Sequence, residues 1–312
     1  MVLSHVAERE GKLLTFLRGE LGLSSGLVKR LKWQNAFYLG GVPVHTDARV
    51  RPGQEITVKI EEAPEGFLPQ TLPIDILYED ESLIALDKPA GQLVHPSPRK
   101  NDGTLANALL GYYAETNQPC GIHPVTRLDR DTFGVVLLAK NAHIHAKLCQ
   151  MMKEGRIHKT YLAAVCGCPA EKTGEIAFPV YKVGNGSLLR VVDPRGKRAV
   201  SRYRVLKTDG RTSLLALQPI TGRTHQLRLH CKMAGFPILG DPQYCSPASM
   251  LLSAKAGLFT QQLCAASLCL PHPVTGKPLA IQTQLTVRGL SSAGDEQAHL
   301  NGAGLQINLG AV

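Results

Sequence analysis

No CxxC pair occurs anywhere in this chain, and no His/Cys spacing fits a zinc finger. The eight cysteines stand at 120, 149, 166, 168, 231, 245, 264 and 269. Cys166-Gly167-Cys168 is the nearest approach to a metal half-site, but it follows an apolar strand pattern, and burial explains it more simply. A Walker loop and a GxGxxG turn are both absent, so neither phosphate-cradling signature is present. No apolar run approaches the ~20 residues that cross a bilayer. Met1 to Glu10 has no apolar core of the kind a secretory signal carries, and no internal repeat is found. These absences describe a cytoplasmic protein with reduced cysteines, no membrane partner, no metal and no cofactor.

What is abundant is positive charge. Lys and Arg number 35 against 25 Asp and Glu, a formal charge of +10. Such a balance favours a polyanionic partner, because basic side chains release counterions from phosphate backbones. The charges also cluster. Lys29, Arg30 and Lys32 precede Trp33, and a second group comprises Arg190, Arg195, Lys197, Arg198, Arg202 and Arg204. The apolar share of 44% is enough for a real core, and 312 residues suggest about two domains.

The organisation follows from periodicity. Leu13, Leu14, Phe16, Leu17 and Leu21 recur at helical spacing, and Ser24 or Ser25 can cap a second helix over Gly26 to Trp33. A turn at Gly40-Gly41 and the alternating Glu55 to Ile60 predict short strands. Residues 1–62 therefore form a small module, and 63–75, with Pro64, Gly66, Pro69 and Pro73, form a linker. From 76 to 290 strands are expected at Ser82–Asp87, Val135–Ala139, Tyr161–Val165, Ala199–Leu206 and Leu214–Leu217. Helices are expected at Leu105–Tyr112, Ala142–Lys153 and His225–Met233. Strands outnumber helices and are often consecutive, which predicts an α+β fold with a mainly antiparallel sheet. Residues 291–312, rich in Gly, Ser, Ala and Asn, read as a disordered tail.

Three segments carry chemistry. Arg127-Leu128-Asp129-Arg130-Asp131-Thr132 stands just ahead of an apolar strand, where a carboxylate would sit on a cleft rim. Lys159-Thr160-Tyr161-Leu162-Ala163 and Thr221-Gly222-Arg223-Thr224-His225-Gln226-Leu227-Arg228 follow in order. Together they resemble the RluA-type family of pseudouridine synthases. Asp87-Lys88-Pro89-Ala90-Gly91, Gly103 to Asn107, Gly240 to Tyr244 and His272-Pro273 extend the likeness. The module at 1–62 resembles an S4-like RNA-binding domain, a small α/β fold whose second helix presents basic residues to RNA. That role falls here on Lys29, Arg30 and Lys32.

The resemblance implies an isomerase that turns uridine into pseudouridine in structured RNA. It assigns the catalytic aspartate to Asp129, with Asp131 read as a turn or strand-entry residue. It places Tyr161 as the ring stacking on the target base and Arg223 as the guanidinium holding the catalytic carboxylate. Arg127 is expected to fill the stack that the flipped nucleotide vacates. Two positions depart from the family pattern, Thr126 in place of a His and Phe133 in place of a Ser. With the S4-like module present, large-subunit ribosomal RNA is the favoured target and transfer RNA the alternative, and the protein is expected to be a monomer. Two rivals remain: a ribosome-assembly factor that binds RNA without catalysis, and a metal-dependent hydrolase using His225, His230 and Cys231.

Overall fold

A computed structural model describes residues 1–62, 65–98, 100–184 and 187–289; the expected tail at 291–312 lies outside them. The first 60 residues enclose a core of their own, in which Leu13, Phe16, Leu17, Leu31, Phe37, Ile56 and Val58 are buried. The helix Leu13–Arg18 is shorter than its apolar pattern, because Gly19 ends it. The helix Ser25–Lys32 starts where Ser24 accepts a hydrogen bond from the Leu27 N–H (3.2 Å). It turns Leu27, Val28 and Leu31 inward. Gly40 and Gly41 both have positive φ (54° and 84°), as a two-residue hairpin requires, and they join the paired strands Phe37–Leu39 and Val42–Pro43. These strands complete a four-stranded sheet with Glu55–Lys59 and Val2–Val6.

The expected linker does not hang free. Glu65 accepts from the Ile122 N–H (2.8 Å), and Gln70 accepts from the Gly103 N–H (2.6 Å). The Asn107 side chain donates to the Leu68 carbonyl (2.8 Å). Residues 65–75 are thereby laid along the helix Leu105–Glu115.

The rest is an α+β unit built on one large sheet. Its strands run in the spatial order Thr173–Ile176, Ser201–Thr208, Thr212–Pro219, His158–Cys166, Leu263–Pro271, Phe133–Ala139, Leu83–Lys88 and Asp75–Glu79. Neighbours are antiparallel with one exception. Phe133 and Gly134 pair in parallel with Cys264 and Ala265, and the two strands then diverge. Gly134 is required there: at φ +104°, a Cβ would lie 2.4 Å from the Ala265 carbonyl oxygen.

In the half containing Phe133–Ala139 both faces are covered. The helix Ala142–Lys153 buries Ile144, Leu148 and Met151 against one face, and Leu105 and Leu109 cover the other. That is why these strands are continuously apolar rather than alternating. In the other half, the helix Gln226–Met233 sets Leu227 and Cys231 against Ala163, Val165, Leu215 and Leu217. Each Leu, Ile, Val or Met among these side chains stabilises the fold by roughly 1.5–3 kcal/mol on burial.

Candidate active site

The 127–132 loop enters the Phe133–Ala139 strand at its parallel pairing with Cys264 and Ala265. It is pinned from below by Lys88, which is fully buried and donates to the carbonyls of Pro89 (2.8 Å), Gln92 (2.8 Å) and Arg130 (2.9 Å). Burial lowers the lysine to about 8, an effect that Asp131 and Asp129 partly offset. The loop is further tied by the Thr132 N–H, which donates to the Asp129 carbonyl (3.2 Å), and by the Gln261 side chain on the Thr132 hydroxyl. Asp131 turns aside into a two-pronged pair with Arg130 (both 3.0 Å), so only Asp129 of the two carboxylates lines the cleft.

A cavity of about 420 Å³ opens here, lined among others by Arg127, Asp129, Tyr161, Arg223, His225 and Arg228. Its size falls in the range of ordinary small-ligand sites. The three separated motifs thus meet in one place. Asp129 Oδ2 accepts from Arg228 Nη1 (3.1 Å) and has His225 Nε2 at 3.8 Å. Asp129 Oδ1 makes no hydrogen bond among the described residues.

Arg228 is buried and held from behind by a second carboxylate. Its Nε and Nη2 donate to the two oxygens of Asp241 (2.7 and 2.9 Å), and its guanidinium lies 5.0 Å from the Tyr244 ring centroid. Burial alone would raise Asp241, but its bonds to Arg228 and to the Tyr244 and Gln243 N–H groups outweigh this and hold it below its usual value. A fully enclosed Asp241–Arg228 pair is therefore fixed, with one guanidinium nitrogen left for Asp129.

This corrects the expected role of Arg223. Its guanidinium is exposed, and its Nε donates to the Arg198 carbonyl (3.2 Å) at the cavity rim. The reason lies in where the helix starts. Gln226 locks the 221–226 turn, accepting from the Thr221 hydroxyl (2.8 Å) and the Arg223 N–H (3.0 Å). It also donates to the Val200 carbonyl and the Ser201 hydroxyl (both 2.9 Å). The helix then runs Gln226–Met233, which keeps Arg223 in the loop and turns Arg228 inward.

His225, the residue before that helix, has left-handed backbone (φ 55°, ψ 17°), a conformation costing a non-glycine residue about 1–3 kcal/mol. Its Nδ1 meets the Tyr244 hydroxyl at 2.9 Å. Burial, more than offsetting the attraction of Asp129, lowers its proton affinity.

Tyr161 lies in the strand His158–Cys166, beside a bulge between Thr160 and Tyr161. Burial, and secondarily Asp129, raises its hydroxyl far above the ordinary tyrosine value, so it stays protonated. Burial lowers Lys159 on the same wall.

Arg127 is exposed on the cavity edge and forms no ion pair among the described residues. Thr126, one of the two departures from the family pattern, is buried and accepts from the Leu137 N–H (2.9 Å). Phe133 packs against the core around Leu162 and Cys264. The proposed metal trio does not converge. His230 is committed to the Ser201 hydroxyl and the Phe178 carbonyl (both 3.0 Å), and Cys231 is wholly buried in the apolar core.

In the amino-terminal module Lys29 and Lys32 are exposed. Arg30 instead turns inward, its Nη2 3.7 Å from Glu62. The Glu62 carboxylate also takes His123 Nε2 (2.9 Å) and the Ala142 N–H (3.0 Å), so Arg30 faces the junction between the two units. The second basic group is partly neutralised, with Arg195 on Asp193 (2.7 Å) and Arg202 on Glu175 (3.2 Å).

The cleft, with its carboxylate gripped by a buried arginine beside a large mixed sheet, belongs to a known class. The family model described as RNA pseudouridylate synthase matches residues 82–233, and the chain belongs to the RNA pseudouridine synthase family, whose members are isomerases. Among its relatives, a Synechocystis protein named as an uncharacterized RNA pseudouridine synthase is 38% identical over 235 residues, 73% of this chain and 71% of that one. The ribosomal large subunit pseudouridine synthase D of Pseudomonas aeruginosa is 37% identical over 237 residues, 73% of each. The solved structure of human RNA pseudouridylate synthase domain containing 1 shares the fold, with a TM-score of 0.57 at 21% identity. It covers 74% of this chain and 94% of that one.

Proposed function

We propose that this enzyme isomerises uridine to pseudouridine in large-subunit ribosomal RNA, with Asp129 as the catalytic carboxylate. One observation carries the assignment: Asp129 presents a free Oδ1 to the cavity while Arg228, itself fixed by Asp241, holds Oδ2. A planar guanidinium fixed on one oxygen orients the carboxylate and aims the other. The reaction breaks the N1–C1′ bond, turns the detached uracil, and rejoins it through C5. Asp129 acts either as nucleophile toward C1′ or as base toward a sugar proton. In both cases the electron pair of the broken bond leaves with the uracil.

Tyr161, kept protonated by its surroundings, serves as a stacking face for the base rather than as a phenolate. The exposed Arg127 takes the place of the extruded nucleotide in the RNA stack, where a guanidinium plane suits both base and phosphate. Arg223 sits at the cavity rim and meets the substrate's backbone. In the amino-terminal module, read as S4-like, Lys29 and Lys32 meet RNA phosphates. The ribosomal target is supported by relatives named ribosomal large subunit pseudouridine synthase D in three bacteria, 34–37% identical. The protein works as a monomer in the cytoplasm, and no helix among the described residues is long and apolar enough to cross a membrane.

Asp129→Asn is expected to abolish pseudouridine formation while leaving RNA affinity nearly unchanged, as measured by turnover and by filter binding on one transcript. Near-normal turnover would refute the assignment. Pseudouridine mapping of ribosomal and transfer RNA from cells with and without the gene tests the target. A missing modification in transfer RNA alone would overturn the ribosomal reading.

A further inference from the structure

The site contains a second polar group poised over the catalytic carboxylate, and its protonation can be read from its neighbours. Tyr244 is buried, and its hydroxyl oxygen accepts the Arg190 backbone N–H (2.9 Å). Among the described residues the hydroxyl proton then has one acceptor, His225 Nδ1, at 2.9 Å. A protonated Nδ1 would leave that buried proton with no acceptor, which is costly. Nδ1 is therefore bare, and the single ring proton of His225 sits on Nε2. That nitrogen faces the cavity 3.8 Å from Asp129 Oδ2, too far for a hydrogen bond with it. Oδ2 is already engaged by Arg228.

A neutral N–H donor with no acceptor among the described residues is thus aimed at the space beside the reacting carboxylate. Its placement rests on the left-handed backbone of His225. Asn35 and Asn117 are the other non-glycine residues with positive φ among those described, and asparagine accepts that conformation more readily.

We propose that His225 is a catalytic residue whose Nε2–H donates a hydrogen bond to O2 of the uracil as the N1–C1′ bond breaks. The electron pair released to N1 is shared with O2, so the acceptor strengthens as cleavage proceeds, and a fixed donor there favours the transition state over the bound substrate. No proton is transferred: His225 ends the step as it began, and the C5 proton is lost later, after C5 has joined C1′. A neutral donor suits this site because a cationic imidazolium would compete with Arg228 for Asp129. The donor serves equally whether Asp129 attacks C1′ or removes a sugar proton, since both routes expel the same anion.

This inference rests on the uridine-isomerising role proposed above, and its test separates the two. His225→Asn keeps a residue tolerant of left-handed backbone and an amide near the Nδ1 position, but it places nothing where Nε2 was. The single-turnover rate at saturating RNA is expected to fall about 10²-fold, with RNA affinity and melting temperature unchanged. His225→Gln, whose amide nitrogen reaches the Nε2 position, should recover part of the rate. The decisive readout is a transcript carrying 2-thiouridine at the target, where sulfur is a poor acceptor. There the penalty of His225→Asn should shrink to a few fold. An undiminished rate in His225→Asn, or equal penalties on uridine and 2-thiouridine, would overturn the role of His225. A wild-type enzyme that fails to convert uridine would instead overturn the proposed function.

Discussion

At the scale of single residues, the cleft depends on buried charges that never meet solvent. Lys88 is the clearest, with three carbonyls converging on its ammonium beneath the Asp129 loop. Lys88→Met should strand those acceptors and cost about 3 kcal/mol or more, since each buried group left unpaired costs about 1–3 kcal/mol. Its pH dependence has a definite sign. Folding lowers Lys88 from 10.5 to about 8. Between those values the unfolded chain holds a proton that the folded chain has released, so this group makes the native state more stable as pH rises. The stability deficit of Lys88→Met should therefore widen from pH 8 to pH 10 in urea titrations of both proteins. A deficit that stays constant would mean that Lys88 keeps its proton throughout.

The places of Asp129 and Tyr161 on the cavity wall were legible in the sequence because each stands in a short motif beside an apolar strand. Arg228 was not. It shares one octapeptide with Arg223, and spacing alone does not tell which of the two faces inward. The deciding fact is the start of the helix at Gln226, set by four side-chain hydrogen bonds to residues in other segments. Asp241 and Tyr244 were quoted as part of a motif but given no role, since their partners are distant in sequence.

At the scale of elements, periodicity located the helices Ser25–Lys32 and Gln226–Met233 to within one residue, and Ala142–Lys153 matches its expectation end to end. The strand Leu263–Pro271 escaped notice because its Cys, Ala and Ser residues carry little β signal, yet it occupies the centre of the sheet. The helix Pro247–Lys255 was equally obscure, as its capping box, Ser246 with Ser249, precedes a weakly amphipathic run. Gly134 is where two elements touch without room for a side chain. Gly134→Ala would add both a clash with the Ala265 carbonyl and a strained φ. It is expected to destabilise the fold by at least about 3 kcal/mol, lowering the melting temperature by roughly 6–12 °C. A shift under 2 °C in calorimetry would show that the parallel pair yields easily.

At the scale of the whole molecule, the basic residues of the amino-terminal module divide by orientation. Lys29 and Lys32 are free on the surface, while Arg30 is turned toward Glu62. The paired change Lys29→Ala with Lys32→Ala should lower the slope of log affinity against log salt by about 2, one contact per lysine, without altering the saturated rate. An unchanged slope would mean that this face never meets RNA. The apolar pattern behind the separate core of the first 60 residues was readable from the sequence. The hydrogen bonds that fasten 65–75 to the catalytic unit were not, because they join residues dozens of positions apart.

The Asp129–Arg228 bond closes a loop of 99 residues, and it needs Asp241 behind it. Closing such a loop adds an entropic cost that grows only slowly with length, but it delays the contact. During synthesis, which releases the amino-terminal part first, Asp129 emerges long before the helix that will grip it. In that interval the carboxylate is an ordinary aspartate on a half-built sheet, with nothing to aim it. The arrangement of the cleft is thus set only once Arg228 and Asp241 have both joined the fold.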